Sequence, residues 1–447
     1  GVVLGTEAEA APILAGIARD PAKAEAAALA LVKLAPQAFW PVFALGQARL
    51  ARGNWAGALG ALEAAHARDP GHTEAALALG QCLARLDQPL RAEALLRPLA
   101  GSSSRARLAL ARLLREGLRF DEAVAVLGDN PAGAEMSAEL ALAEAARGDA
   151  DAALAAATRA MSAGADPVAL SLDLARGLQG AGAAAAMPRA LDLGLARSPG
   201  DPRLLTQLAA HLQSDGAFDR AAAILDDVIA AHPGHAPAYL SQVSSRKLSE
   251  GDPLLDQLLT QAGRADLPVA DRRILNFAAA KAMEGLKRRE AVIDHVHRAN
   301  RLMASEFGYS FDADLAAARA LVADWPVLRT IAPDAPGDPV IFVTGLPRSG
   351  TTLVETILAA HSGVAAGGEM PFLNRALAPA LERVRAGVPD PGAFAAAGAR
   401  YLAAGRRRAG GTLFTDKAIS TFSRVGHAAT ALPGARFVIL DRDPRDV

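Results

Sequence analysis

Arg348, Ser349, Gly350, Thr351 and Thr352 follow directly on a run of β-branched and aromatic residues, Val340-Ile-Phe-Val343, and their types suit anion binding. The apolar run predicts a buried parallel strand. Gly345 and Gly350 bracket a tight loop containing Pro347, where absence of a Cβ lets backbone approach a ligand. Thr351-Thr352-Leu353 then opens a helix whose first N–H groups have no partner within the helix. Such an end attracts phosphate or sulfate by about 0.3–2 kcal/mol per charge. The spacing Gly345-x4-Gly350 is that of a P-loop, but a nucleoside-triphosphate loop places Lys after the second glycine. Thr351 stands there, and the cation lies inside the loop as Arg348, whose planar fork can hold a phosphate or sulfuryl oxygen by two hydrogen bonds. This argues against ATP and for a ligand with a different charged end.

Three further segments carry polar groups at the ends of short predicted elements. Glu369 follows Gly367-Gly368, and a carboxylate there, at a strand's C-terminal edge, can take a proton from a hydroxyl, worth about 10²–10⁴ in rate. The other reading of Glu369 is the N-terminal charge of a helix starting near Met370 or Pro371. Thr412-Leu-Phe-Thr-Asp-Lys417 reads as a short strand ending in Asp416 and Lys417, where a surface lysine is the plain alternative. Ala435-Arg-Phe-Val-Ile-Leu-Asp-Arg442 reads as a second buried strand delivering Arg442 into a turn, with pairing to Asp443 or Asp446 the local alternative. Arg406-Arg-Arg408 is expected to end a helix near its negative pole and face water.

Pro347-Arg-Ser-Gly-Thr-Thr-Leu353 resembles the 5′-phosphosulfate loop of sulfotransferases, nearest the tyrosylprotein sulfotransferase type and its bacterial relatives with tetratricopeptide repeats. The resemblance implies 3′-phosphoadenosine 5′-phosphosulfate (PAPS) as co-substrate, no metal, and Pro347 to Thr352 as the 5′ cradle. It implies Glu369, 21 residues after Arg348, as general base. Lys417, 16 residues before Pro433, is implied as a contact to the sulfate and bridging oxygen, sharing charge stabilisation with Arg348. Arg442 matches the family's reader of the 3′-phosphate; the serine expected about eight residues later would lie beyond Val447. Arg375 matches a substrate-side arginine of the animal enzymes, which suits an acidic acceptor. The chain departs from the relatives' Lys-Met-Pro-x-Asn-Phe in having Lys417-Ala-Ile-Ser-Thr-Phe422. Peptide, glycan and small hydroxyl acceptors all stay open. The rivals are a P-loop nucleotide kinase, which would turn over ATP with Mg²⁺, and a repeat-based adaptor with an inactive domain, which would not bind 3′-phosphoadenosine 5′-phosphate.

The elements that must position these residues come after a long helical stretch. Pro36 to Pro70 places Leu45-Gly46, Ala58, Leu62, Ala65 and Pro70 at tetratricopeptide offsets, and a shift of 34 finds Leu79-Gly80, Ala92 and Leu96. Small residues let paired helices approach, and the leucines fill the groove between them. Leu110-Ala111 with Ala123, Leu140-Ala141 with Ala153, and Leu208-Ala209 through Pro233 continue the period; residues 167–200 are helical in loose register. The expected architecture is an α-helical solenoid of tetratricopeptide type over residues 1–304, a connector over 305–337, and an incomplete parallel α/β, P-loop-like domain over 338–447. Ala332 to Asp338 reads as a linker by composition. The repeats suit a protein partner or acceptor.

With 51% hydrophobic residues but 4% aromatic, alanine and leucine carry most apolar surface, which favours closely packed helices. A net charge of −1 gives no global basic field, so nucleic acid is not an expected partner. A single cysteine, Cys82, excludes an internal disulfide, and no Cys/His cluster has zinc spacing. No apolar run is long enough for a membrane span, and the expected location is the cytoplasm. The start at Gly1 and the stop at Val447 directly after a motif read as a fragment truncated at both ends.

Overall fold

The computed structural model describes residues 4–331, 340–443 and 445. The linker read at Ala332 to Asp338 lies outside these residues. Up to Leu328 the chain is helical, and after Val340 it forms four short strands with helices between them. It divides into two compact units, one of residues 1–147 together with 321–447, the other of residues 148–320.

In the first unit the repeat signature has a direct steric cause. The helix Phe39–Ala51 pairs with Trp55–Arg68, and Thr73–Arg85 with Pro89–Leu99. A Cβ on Gly46 would stand 2.6 Å from Leu62 Cδ2, and one on Gly80 would stand 2.8 Å from Leu96 Cδ2. The glycines therefore set how close each helix pair comes, and Leu62 and Leu96 fill the seam fully buried. Ser104–Glu116, Phe120–Leu127 and Ala134–Arg147 continue the unit. Leu140 and Ala153, expected in one hairpin, fall in different units.

The second unit is wholly helical, with cores built around buried residues such as Leu225, Tyr239, Leu258 and Leu275. Within the expected connector stands a helix, Phe311–Leu328; its end, with Ile331, contributes to the core of the sheet domain. Asp312 and Asp314 lie in its first turn, exposed.

The sheet carries the order β2-β3-β1-β4, with β1 Ile341–Gly345, β2 Ala365–Ala366, β3 Phe414–Asp416 and β4 Arg436–Leu440. Every pairing is parallel, with Phe342 opposite both Asp416 and Phe437, and Gly345 opposite Leu440. Phe342, Val343 and Thr344 are completely buried, as the β-branched run predicts for a central strand. One face packs Phe342 and Phe414 against Tyr401 and Phe394 of the helix Pro391–Ala409 and against the helix Leu373–Arg385.

The sheet domain also caps helices of the first repeats. Gln88, at the start of Pro89–Leu99, makes no side-chain cap. The Glu382 carboxylate takes that place, accepting from Leu90 N at 2.7 Å and Arg91 N at 3.1 Å. At the opposite pole, Arg375 donates to Arg115 O and Glu116 O, the last carbonyls of Ser104–Glu116, at 2.8 and 2.7 Å. An anion at a helix start and a cation at a helix end each favour the local dipole.

Candidate functional site at the C-terminal edge of the sheet

Because the four strands are parallel, their C-terminal ends share one edge, and each of four singled-out residues follows a different strand. Arg348 follows β1, Glu369 follows β2, Lys417 follows β3 and Arg442 follows β4. This is the edge at which open parallel sheets bind ligands.

The loop after β1 is backbone-strained. Arg348 sits in left-handed conformation, φ +66°, which costs a non-glycine residue about 1–3 kcal/mol. Gly350 follows at φ +107° as the N-cap of the helix Thr351–Ala359, where it offers no side-chain cap. Gly345 is obligatory, since a Cβ there would lie 2.7 Å from Leu440 O and 2.9 Å from Ser349 Oγ. Ser349 Oγ is buried without a hydrogen-bond partner among the described residues, and such an atom needs one. Pro347, Arg348 and Thr352 are exposed at the loop surface, and Thr351 is buried beneath it.

Lys417 reaches this loop. Its Nζ donates to Thr352 Oγ1 at 3.0 Å and stands 3.8 Å from Glu355 Oε2. Its backbone N–H donates to Gly368 O at 2.9 Å, which sets Lys417 beside the residue preceding Glu369. Glu369 itself is exposed. From the far strand, Arg442 Nη1 donates to Arg348 O at 3.3 Å. Asp443, one of its expected partners, pairs with Arg445 at 2.6 Å; Asp446 lies outside the described residues.

Two expectations take a different form. Arg375, read as facing substrate, has Nε and Nη2 on helix carbonyls of the repeats, because its helix packs there. The basic run does not simply face water. Arg408 Nε donates to Gly367 O at 3.1 Å, Arg406 Nε to Thr412 O at 3.4 Å, and Arg407 lies over the Phe120 ring.

Sequence reading passed over Glu355 as a site group and saw Asp416 only as a strand end; both are buried. Glu355 Oε1 accepts from Gly368 N at 2.9 Å and from Thr415 Oγ1 at 2.8 Å. Asp416 accepts from Tyr401 OH at 2.7 Å, Ala418 N at 2.9 Å and Met370 N at 3.3 Å. Burial pushes the Asp416 carboxyl up to about 6; the nearby Glu355 charge adds to this, and the hydrogen bonds pull against it. The available signal for Glu355 was its place four residues after Thr351, on the same buried helix face. Among the described residues, no group of three His, Cys, Asp or Glu side chains is arranged to hold a metal, and no helix is long and apolar enough to cross a membrane.

Residues 339–447 match the Sulfotransferase family, and residues 49–102 match a tetratricopeptide repeat. An uncharacterized protein of Aquifex aeolicus is 30% identical over 182 residues, which cover 40% of this chain and 24% of that protein. Among solved structures, a human IFIT1 dimer with PPP-AAAA is 14% identical, with 64% of this chain and 69% of that chain covered and a TM-score of 0.37. The tetratricopeptide domain of P58(IPK) is 15% identical, with 68% and 99% covered and a TM-score of 0.23. The chain thus carries a sulfotransferase-family domain over residues 339–447, preceded by helices that include tetratricopeptide repeat.

Proposed function

We propose that the sheet domain transfers a sulfuryl group from PAPS to an acceptor hydroxyl, with the repeats offering a surface for an acceptor or partner protein. The observation that carries this reading is the hydrogen bond from Lys417 Nζ to Thr352 Oγ1, which joins the end of β3 to the anion-attracting start of the loop helix. Pro347 to Thr352 form the seat for the 5′ phosphosulfate, with Ser349 Oγ as a group that lacks a partner among the described residues. Arg442 serves the 3′-phosphate. Glu369 takes the proton of the acceptor hydroxyl as its oxygen bonds to sulfur. The bond from sulfur to the bridging oxygen breaks, its electron pair stays on the phosphate, and 3′-phosphoadenosine 5′-phosphate leaves. Lys417 and Arg348 offset the charge that grows on that oxygen. Arg375, with its guanidinium on helix carbonyls, is left out of the acceptor site.

The test is calorimetric binding of 3′-phosphoadenosine 5′-phosphate, followed by mass spectrometry of candidate acceptors incubated with PAPS. Binding and a mass gain of one sulfuryl group are expected. Lys417→Ala is expected to lower kcat about 10²–10³-fold, and Glu369→Gln about 10²–10⁴-fold. Failure to bind the nucleotide would remove the reading.

A further inference from the structure

The segments that carry Glu369 and Lys417 are fastened from beneath by carboxylates that the transfer chemistry does not use. Gly368 and Met370, the two neighbours of Glu369, donate their backbone N–H groups to different buried acids: Gly368 to Glu355 Oε1 and Met370 to Asp416 Oδ1. The same two oxygens also hold the strand that delivers Lys417. Glu355 Oε1 accepts from Thr415 Oγ1, and Asp416 Oδ1 accepts from Ala418 N. Lys417 N on Gly368 O closes the arrangement between the two segments.

We infer that Glu355 and Asp416 are positioning residues, a pair of buried clamps that hold Gly367–Met370 against Thr415–Ala418 and so fix Glu369 relative to Lys417. The inference rests on the roles proposed above for those two residues. Its physical basis is the cost of the arrangement. Both acids are removed from water, Asp416 completely, and buried carboxylates are expensive unless every lone pair is used. An apolar pair would serve packing at lower cost, whereas a carboxylate oxygen can take two donors at once and tie two chain segments together. Glu355 also stands on the loop helix, so one side chain links the anion seat, the base segment and the lysine. Displacement of a reacting group by about 1 Å costs on the order of 10²-fold in rate, which is the benefit such clamps secure.

The test uses the full chain with Glu355→Ala, Glu355→Gln, Glu355→Asp, Asp416→Ala and Asp416→Asn. Thermal stability, amide exchange of Gly367–Met370 and Thr415–Ala418, and steady-state sulfuryl transfer are measured together. In folded alanine variants, exchange should rise in those two segments alone. Transfer should fall about 10–100-fold in kcat, with KM for PAPS within about threefold of wild type. Glu355→Gln and Asp416→Asn, which keep an acceptor oxygen, should recover most of both losses. Wild-type exchange in the alanine variants, or a kcat that falls only with the folded fraction, would overturn the proposal. If the alanine variants do not fold, Glu355→Asp decides: it keeps the charge but withdraws the oxygens by one methylene, so local exchange and kcat must still be affected. A wild-type chain without sulfuryl transfer would refute the assignment of the site, and the exchange comparison would still decide whether the clamps exist.

Discussion

Arg348 carries a steric cost in the loop, a left-handed backbone that no packing of its exposed side chain offsets. Arg348→Gly removes the steric penalty of φ +66° together with the cation. The melting temperature of this variant should hold or rise, while transfer falls about 10²-fold or more. A variant that loses stability and keeps activity would contradict the role given to the side chain. Asp416 makes a pH-dependent contribution of its own. Its carboxyl is raised from the ordinary 3.8 to about 6 in the fold, so the folded chain retains a proton that the unfolded chain releases between those values. The resulting stabilisation is fully present below about pH 4 and is lost as pH rises through about 6. Denaturation of wild type and Asp416→Asn should therefore diverge on acidification from pH 7 to 4, with wild type gaining on the order of 1–3 kcal/mol relative to the variant. Parallel pH profiles would show that Asp416 titrates normally.

At the scale of the element, glycines in one hairpin have opposite consequences. Gly46 faces Leu62, and a Cβ there meets Leu62 Cγ at 2.7 Å in a fully buried seam. Gly46→Ala should destabilise by about 1–3 kcal/mol through overpacking. Gly60, on the exposed side of Trp55–Arg68, has nothing within 4 Å of its notional Cβ. Gly60→Ala should stabilise by about 0.5–1 kcal/mol, because alanine loses less backbone freedom on helix formation. Chemical denaturation of the two variants checks the pair, and equal effects would refute the steric account of the repeat. In the sheet domain the decisive element is the strand end. Four strands running the same way bring together groups from Arg348 to Arg442, and reversal of any one strand would send its residue to the opposite edge.

At the scale of the whole molecule, the sheet domain forms one compact unit with residues 1–147, and polar caps contribute to that union. Glu382 is buried and satisfies two backbone donors of the second repeat. Its truncation to alanine leaves those N–H groups without their partner and should cost about 1–3 kcal/mol. Amide exchange at Leu90 and Arg91 should rise, and wild-type exchange there would show that the cap contributes little. Retained activity in the folded fraction is expected, since Glu382 caps the repeats rather than entering the loop at Arg348.

The repeat spacing and the strand, loop and helix around Arg348 were legible from the chain because each depends on short-range rules. Glycine admits a close helix or a positive φ, proline ends a helix, and β-branched runs form buried strands. Glu369, Lys417 and Arg442 were singled out through the family resemblance of their segments, and each of them, like Arg348, follows a strand. Tertiary structure alone decided what holds them. Thr415 and Glu355 are 60 positions apart, Met370 and Asp416 are 46 apart, and Arg375 lies 259 positions from the carbonyl of Glu116 that it caps. No local propensity encodes such pairings: they follow from strand register and helix docking, which determine which buried acceptor each unpaired donor meets.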